Sequence, residues 1–120
     1  MLSCCLTTLG CAAREHDNHS SATTTTTAPE TDAALVIDVR IAGGSVTPTD
    51  ARLDAQVNTP IDVVVDSDTH DELHVHGTPE HTFAVVPGTG QRFRFTIDVP
   101  GRVELELHEA GRTVATLLVR

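Results

Sequence analysis

The chemistry-bearing residues of this chain crowd into Asp66-Ser67-Asp68-Thr69-His70-Asp71-Glu72-Leu73-His74-Val75-His76-Gly77, where three imidazoles alternate with carboxylates. Imidazole suits Cu(II) and Zn(II), and carboxylates supply oxygen ligands or the acceptors that orient a ligating ring. On an extended strand, residues two apart point to the same side with Cα atoms about 6.5 to 7 Å apart. His74 and His76 can therefore converge on one copper or zinc ion. His108 is the first choice for a third ligand and His70 the second, with Asp68, Asp71 and Glu72 as oxygen donors nearby. Because imidazole must be neutral to bind a metal, such a site loses its ion as the pH falls through about 6.5. His81 is expected to stand outside it, as are His16 and His19 near the amino terminus.

Catalytic chemistry finds little support. There is no Gly-x-Ser-x-Gly elbow, and Gly88-Thr89-Gly90 lacks the following helix and lysine of a phosphate loop. Glu104 and Glu106 are explained by strand alternation as a solvated face. The chain is therefore expected to bind rather than to catalyse.

Composition narrows the partners. The formal charge is −9, and every basic side chain other than histidine is an arginine. A phosphate backbone repels such a surface, so no nucleic acid is expected. Tyr and Trp are absent and only Phe83, Phe93 and Phe95 are aromatic, so the core must be chiefly Val, Leu, Ile and Ala. The three cysteines, Cys4, Cys5 and Cys11, all precede the patterned region, which rules out a disulfide framework or a thiolate metal site within it.

Along the chain, three regions separate. Residues 1–11 are apolar and small and end in Thr8-Leu9-Gly10-Cys11-Ala12, which looks like a bacterial lipoprotein cleavage site with Cys11 as the lipidated residue. Residues 12–32, with the run Thr23–Thr27, have almost no large apolar side chain and read as a disordered linker with a reach of roughly 25 Å. From Ala33 to Arg120 the pattern is alternation. Leu35, Ile37, Val39 and Ile41 share one face, and so do Ile61, Val63 and Val65. Phe93, Phe95, Ile97 and Val99 repeat the rhythm, as do Val103, Leu105 and Leu107. Turns fall at Gly43-Gly44, Asn58-Thr59-Pro60, Pro87-Gly88 and Pro100-Gly101. The expected fold is all-β, a seven- to eight-stranded antiparallel Greek-key sandwich.

The segments Ile41-Ala42-Gly43-Gly44-Ser45-Val46-Thr47-Pro48, Thr59–Asp68, Asp71–Gly77 and Pro100–His108 resemble, in order and spacing, the cupredoxin-like domains of bacterial envelope proteins. These include plastocyanin-like domains and the type associated with iron-uptake lipoproteins. The resemblance implies a metal-binding β-sandwich anchored outside the cytoplasm. Members that transfer electrons carry a histidine, then a Cys, a second His and a Met. By position His74 matches the first histidine. The Cys falls due near Leu107 or His108, where there is none, and the sole methionine is Met1.

Two functional readings follow. The first is a lipid-anchored, extracytoplasmic module that captures, delivers or senses copper or zinc. The second is a metal-free structural or interaction sandwich that meets another envelope protein.

Overall fold

In a computed structural model of the chain, the described residues are residue 10 and residues 33–120. The lipidation expected at Cys11 and the linker over 12–32 lie outside them. Nine strands follow in order: β1 (Leu35–Ala42), β2 (Ser45–Thr47), β3 (Ala51–Ala55), β4 (Ile61–Ser67), β5 (Asp71–His76), β6 (His81–Val85), β7 (Gly88–Phe95), β8 (Gly101–Leu107) and β9 (Arg112–Val119). They form two sheets: sheet I in the order β2-β1-β4-β7, and sheet II in the order β3-β9-β8-β5-β6.

The all-β sandwich expected from alternation is present, with one more strand than the upper expectation and with mixed rather than purely antiparallel sheets. β1 runs parallel to β4, from Leu35↔Ile61 to Ile41↔Ser67, and β3 runs parallel to β9. Both parallel pairs join strands distant in sequence. Alternation tells which face of a strand is buried and carries nothing about the direction of its neighbour.

Each sheet contributes one face to a single aliphatic layer. Ile37, Val39 and Ile41 of β1 and Ile61, Val63 and Val65 of β4 meet Leu73 and Val75 of β5, Val103, Leu105 and Leu107 of β8, and Val114, Leu117 and Val119 of β9. Branched aliphatics pack well on pleated surfaces, and full burial of each contributes about 1.5 to 3 kcal/mol. On β9 the consecutive residues Val114 and Ala115 are both fully buried, which simple alternation forbids. A bulge explains it: Leu105 pairs with Ala115 but Glu106 pairs with Thr113, so Val114 is the extra residue.

Two local features depart from the sequence reading. β2 is a three-residue strand made by the hairpin at Gly43-Gly44, whose φ values of 58° and 77° fit a type I′ turn. Ile97 and Val99, expected to extend the strand from Phe93, lie beyond its end. Ile97 is fully buried, while its carbonyl accepts the Asn58 N–H at 2.9 Å and Asp98 N–H donates to the Thr78 carbonyl at 2.8 Å. The segment thus caps the sandwich by bonding to two loops, and Val99 is left exposed.

The open seam between the edge strands β6 and β7 is filled by the chain's aromatics. Phe83 stacks on Phe93 with centroids 5.1 Å apart, and His81 lies 5.4 Å from Phe95 and 5.9 Å from Phe83. At the opposite limit of β5, Gly77 sits hard against Ile97 and Val103: a Cβ there would stand 2.6 Å from Ile97 Cδ1 and 3.3 Å from both Val103 γ-carbons. Gly77→Ala is therefore expected to destabilise the domain by about 1 kcal/mol, read as a lower urea midpoint at unchanged slope.

Candidate functional site

Strand register places the histidines. On β5 the core-facing residues are Asp71, Leu73 and Val75, so Glu72, His74 and His76 face outward from sheet II. The two rings lie against each other, centroids 4.0 Å apart and planes tilted by 38°. His74 Nε2 is 2.6 Å from Glu80 Oε1, and His76 Nε2 is 3.0 Å from Glu106 Oε2. An ionised carboxylate only accepts, so each Nε2 carries a proton and donates it, and in the neutral ring the lone pair is then on Nδ1. His74 is the better covered of the two rings, with 23% of its side chain exposed against 41% for His76.

The surroundings are acidic. His76 lies opposite Glu104 across the β5–β8 pair, and His74 opposite Glu106. A shallow trough of about 360 Å³ is lined by His76, Arg102, Glu104 and Glu106. Glu80 was not singled out by sequence reasoning, and Glu106 was read there only as part of a solvated strand face. For Glu106 the signal was its place in the alternating face of β8; its cross-strand partner is fixed only by register.

The remaining expected ligands are not drawn in. His108 N–H donates to the Glu72 carbonyl at 2.9 Å, one step beyond the Leu73↔Leu107 pair. This puts His108 level with Glu72, four residues and roughly 13 Å along the strand from His76. The extra residue of the β8–β9 bulge lies on β9 and leaves the β5–β8 register unshifted. His70 is exposed in the β4–β5 connection, at the end of the sandwich. It lines an open cleft of about 210 Å³ with Ile41, Val46, Glu109 and Ala110. His81 Nε2 lies 3.3 Å from the Thr96 carbonyl within the aromatic seam. Among the described residues, no three His, Cys, Asp or Glu side chains stand grouped to hold a metal ion.

The end where His70 sits is organised by Asp71, which is buried there. Its carboxylate accepts N–H bonds from Glu72 at 2.7 Å, Glu109 at 2.9 Å and Ala110 at 3.1 Å. One side chain thus ties the start of β5 to the β8–β9 loop. That loop holds His108 and Glu109 but neither thiol nor thioether, so its donor set does not fit a blue-copper centre.

The outer face of sheet I carries a second charged arrangement. Asp62 of β4 is only 1% exposed although it points away from the core, because two arginines of β7 lie over it. Arg94 Nε donates to Oδ1 at 2.7 Å and its Nη2 to Oδ2 at 2.8 Å, while Arg92 Nη1 donates to Oδ2 at 2.8 Å. The hydrogen bond from Arg94 is the leading cause that holds the Asp62 carboxyl down at about 2, against desolvation, which raises it. Asp62 in turn raises the Arg94 guanidinium.

With the geometry in place, comparison with known proteins gives the class of fold. No family profile and no curated protein matches the chain. Among solved structures it is similar to dithionite-reduced auracyanin from the photosynthetic bacterium Roseiflexus castenholzii, with TM-score 0.53 and 10% identity over 73% of this chain and 98% of that one. It is similar also to a reduced single-residue mutant of amicyanin, with TM-score 0.52 and 16% identity over 74% and 84% of the two chains. A chain of a heme-copper terminal oxidase dimer gives TM-score 0.52 and 17% identity over 74% and 67%. The fold is a cupredoxin-like β-sandwich, and at these identities the likeness is one of fold.

Asp62 has a testable pH consequence. Its folded-state pKa lies below the ordinary value of 3.8, so its stabilisation is fully present above 3.8 and is lost as the pH falls towards 2. Thermal melts of the parent and Asp62→Asn should differ most near neutral pH, with the gap closing across that acid window. A gap that stays constant to the bottom of the window removes Asp62 as its cause.

Proposed function

We propose that this chain is an extracytoplasmic, lipid-anchored cupredoxin-like module that captures a divalent transition metal, copper or zinc, on the His74/His76 pair and passes it on. The observation that carries this reading is the pairing itself: two imidazoles 4.0 Å apart on adjacent rows of one strand, each with Nε2 on a carboxylate. Carboxylates on the far nitrogen are the usual companions of metal-ligating histidines, because they fix the tautomer and raise the basicity of the other nitrogen. His74 and His76 would hold the ion through Nδ1, with Glu80 and Glu106 orienting the rings.

A copper role is further supported by the fold shared with amicyanin, one solved form of which is a Cu(I) form. Electron transfer of the blue-copper kind is not proposed, since no thiolate falls in the domain. A site of two imidazoles on a solvated face exchanges its ion readily, which suits capture and delivery to another envelope protein. Anchoring through Cys11 would keep the module at the membrane, with residues 12–32 as its tether.

The test is titration of the full chain with Cu(II) and with Zn(II), followed by calorimetry and, for copper, by electron paramagnetic resonance. His16 and His19 are replaced by alanine in every sample so that they do not contribute. His74→Ala/His76→Ala should abolish the strongest binding event, and Glu80→Gln/Glu106→Gln should weaken it by about 10- to 100-fold. Equal binding by the parent and the double histidine variant sinks the reading.

A further inference from the structure

Four strands edge the two sheets: β2 and β7 in sheet I, β3 and β6 in sheet II. β7 is the longest, with eight residues against three, five and five for β2, β3 and β6. It pairs with β4 alone, so alternate backbone N–H and C=O groups along it face away from the sheet without a strand partner. The turn before it is pinned by Gln91, whose amide bonds Val86 and Gly88. Past its far end the Thr96 carbonyl meets His81. The start of the strand is bulged, with Gly88 opposite Ser67 and Gln91 opposite Val65, and from Gln91 to Phe95 the edge is regular and open.

The side chains along this edge are of two kinds. Phe93, directed inward, is only partly buried and stacks on Phe83. Arg92 and Arg94, directed outward, are 56% and 61% exposed and are both anchored on the buried Asp62. Of the ten N–H donors that two guanidinium groups carry, only Arg92 Nη1 and Arg94 Nε and Nη2 are used on Asp62. One carboxylate holds two cations, leaving the Arg92–Asp62–Arg94 cluster net positive with free donors at a fixed spacing, while the next carboxylate of β4, Asp66, accepts the Gly90 N–H at the start of β7. The other face of the molecule is the reverse, with Glu72, Glu80, Glu104 and Glu106 around the histidines.

Charge decides the occupant. A second copy of this edge, added antiparallel or parallel, would bring arginines against arginines, and like charges across strands are destabilising. An extended segment with carboxylates at alternate positions would instead match the spacing of Arg92 and Arg94, about 6.5 to 7 Å. It would also satisfy the open backbone ladder, as strand addition does. We infer that the free edge of β7 is a docking strand for an extended acidic segment of a partner protein, which joins sheet I and sets carboxylates on Arg92 and Arg94. The inference is independent of metal binding, since the histidines lie on the opposite sheet.

The experiment uses the isotope-labelled full chain and two capped peptides of eight residues, one with glutamates at two positions two apart, the other with glutamines there. Amide shifts on adding the glutamate peptide should be confined to β7 and the seam, and should weaken as salt is raised. The glutamine peptide should bind at least about tenfold more weakly, as should the Arg92→Gln variant towards the glutamate peptide. Arg92→Lys, which keeps the charge and leaves Arg94 on Asp62, should retain most of the binding and guards against a folding defect. Equal binding of the two peptides, shifts centred elsewhere, or no binding overturns the proposal. So does a dimer in sedimentation that the peptide cannot dissociate. Peptide binding that appears only after removal of residues 1–32 assigns the edge to the chain's own amino-terminal segment and overturns the partner reading.

Discussion

A single layer of aliphatic side chains between two sheets sets the terms for everything else in this molecule. Val, Ile and Leu dominate it, with Ala55, Ala115 and Phe95, and with period-two alternation every second residue of a regular strand points outward. Ionisable groups are thereby sent to the two outer faces or to the ends. Burial of an ionisable group occurs only where bonds answer it: Asp62 beneath two guanidinium groups and Asp71 beneath three backbone N–H groups. Among the described residues no buried polar side-chain atom lacks a partner.

Because the core is indifferent to what lies outside it, the two faces are free to differ, and they do. Sheet II presents carboxylates and imidazoles in adjacent rows. The β7 margin of sheet I presents guanidinium groups over a neutralised aspartate. A chain of net charge −9 has little general attraction for anions, so a local excess of positive charge on an open edge is more selective than the same pair would be on a basic protein. Part of its effect is protective: charged side chains on an edge discourage pairing with identical edges. The same charges that refuse a second copy admit an acidic strand.

What the sequence disclosed follows this division between core and surface. Alternation in Leu35–Ile41, Ile61–Val65 and Val103–Leu107 identified strands because one face of each is buried and the other wet. It also placed His74 and His76 side by side, since residues two apart on any strand share a face. It failed where the outcome depends on a neighbour. The parallel pairing of β1 with β4 and the bulge that buries Val114 and Ala115 together are set by sheet assembly, as is the row on which His108 falls. Glu80 and Glu106 became partners of the histidines for the same reason. β2 is too short to show a period, and Gly88-Thr89-Gly90 begins β7 with no apolar side chain to signal it.

The location of the histidine pair also constrains the kind of binding it can perform. Both rings stand on a central strand, with β6 on one side and β8 on the other, so their spacing is held by the ladder rather than by a loop. That is favourable for preorganisation. Yet the face is open to water, and exposed side-chain contacts such as His74–Glu80 and His76–Glu106 contribute little stability. A ligand displacing or using these contacts meets a fixed pair of donors at small conformational cost, but gains no burial. Tight, permanent retention of an ion requires more donors or a drier site, and the end of the sandwich where Asp71 clamps the β8–β9 loop supplies no sulfur for one. For the metal-binding role proposed above, a rigid, wet, two-imidazole face therefore suits exchange of an ion rather than its retention.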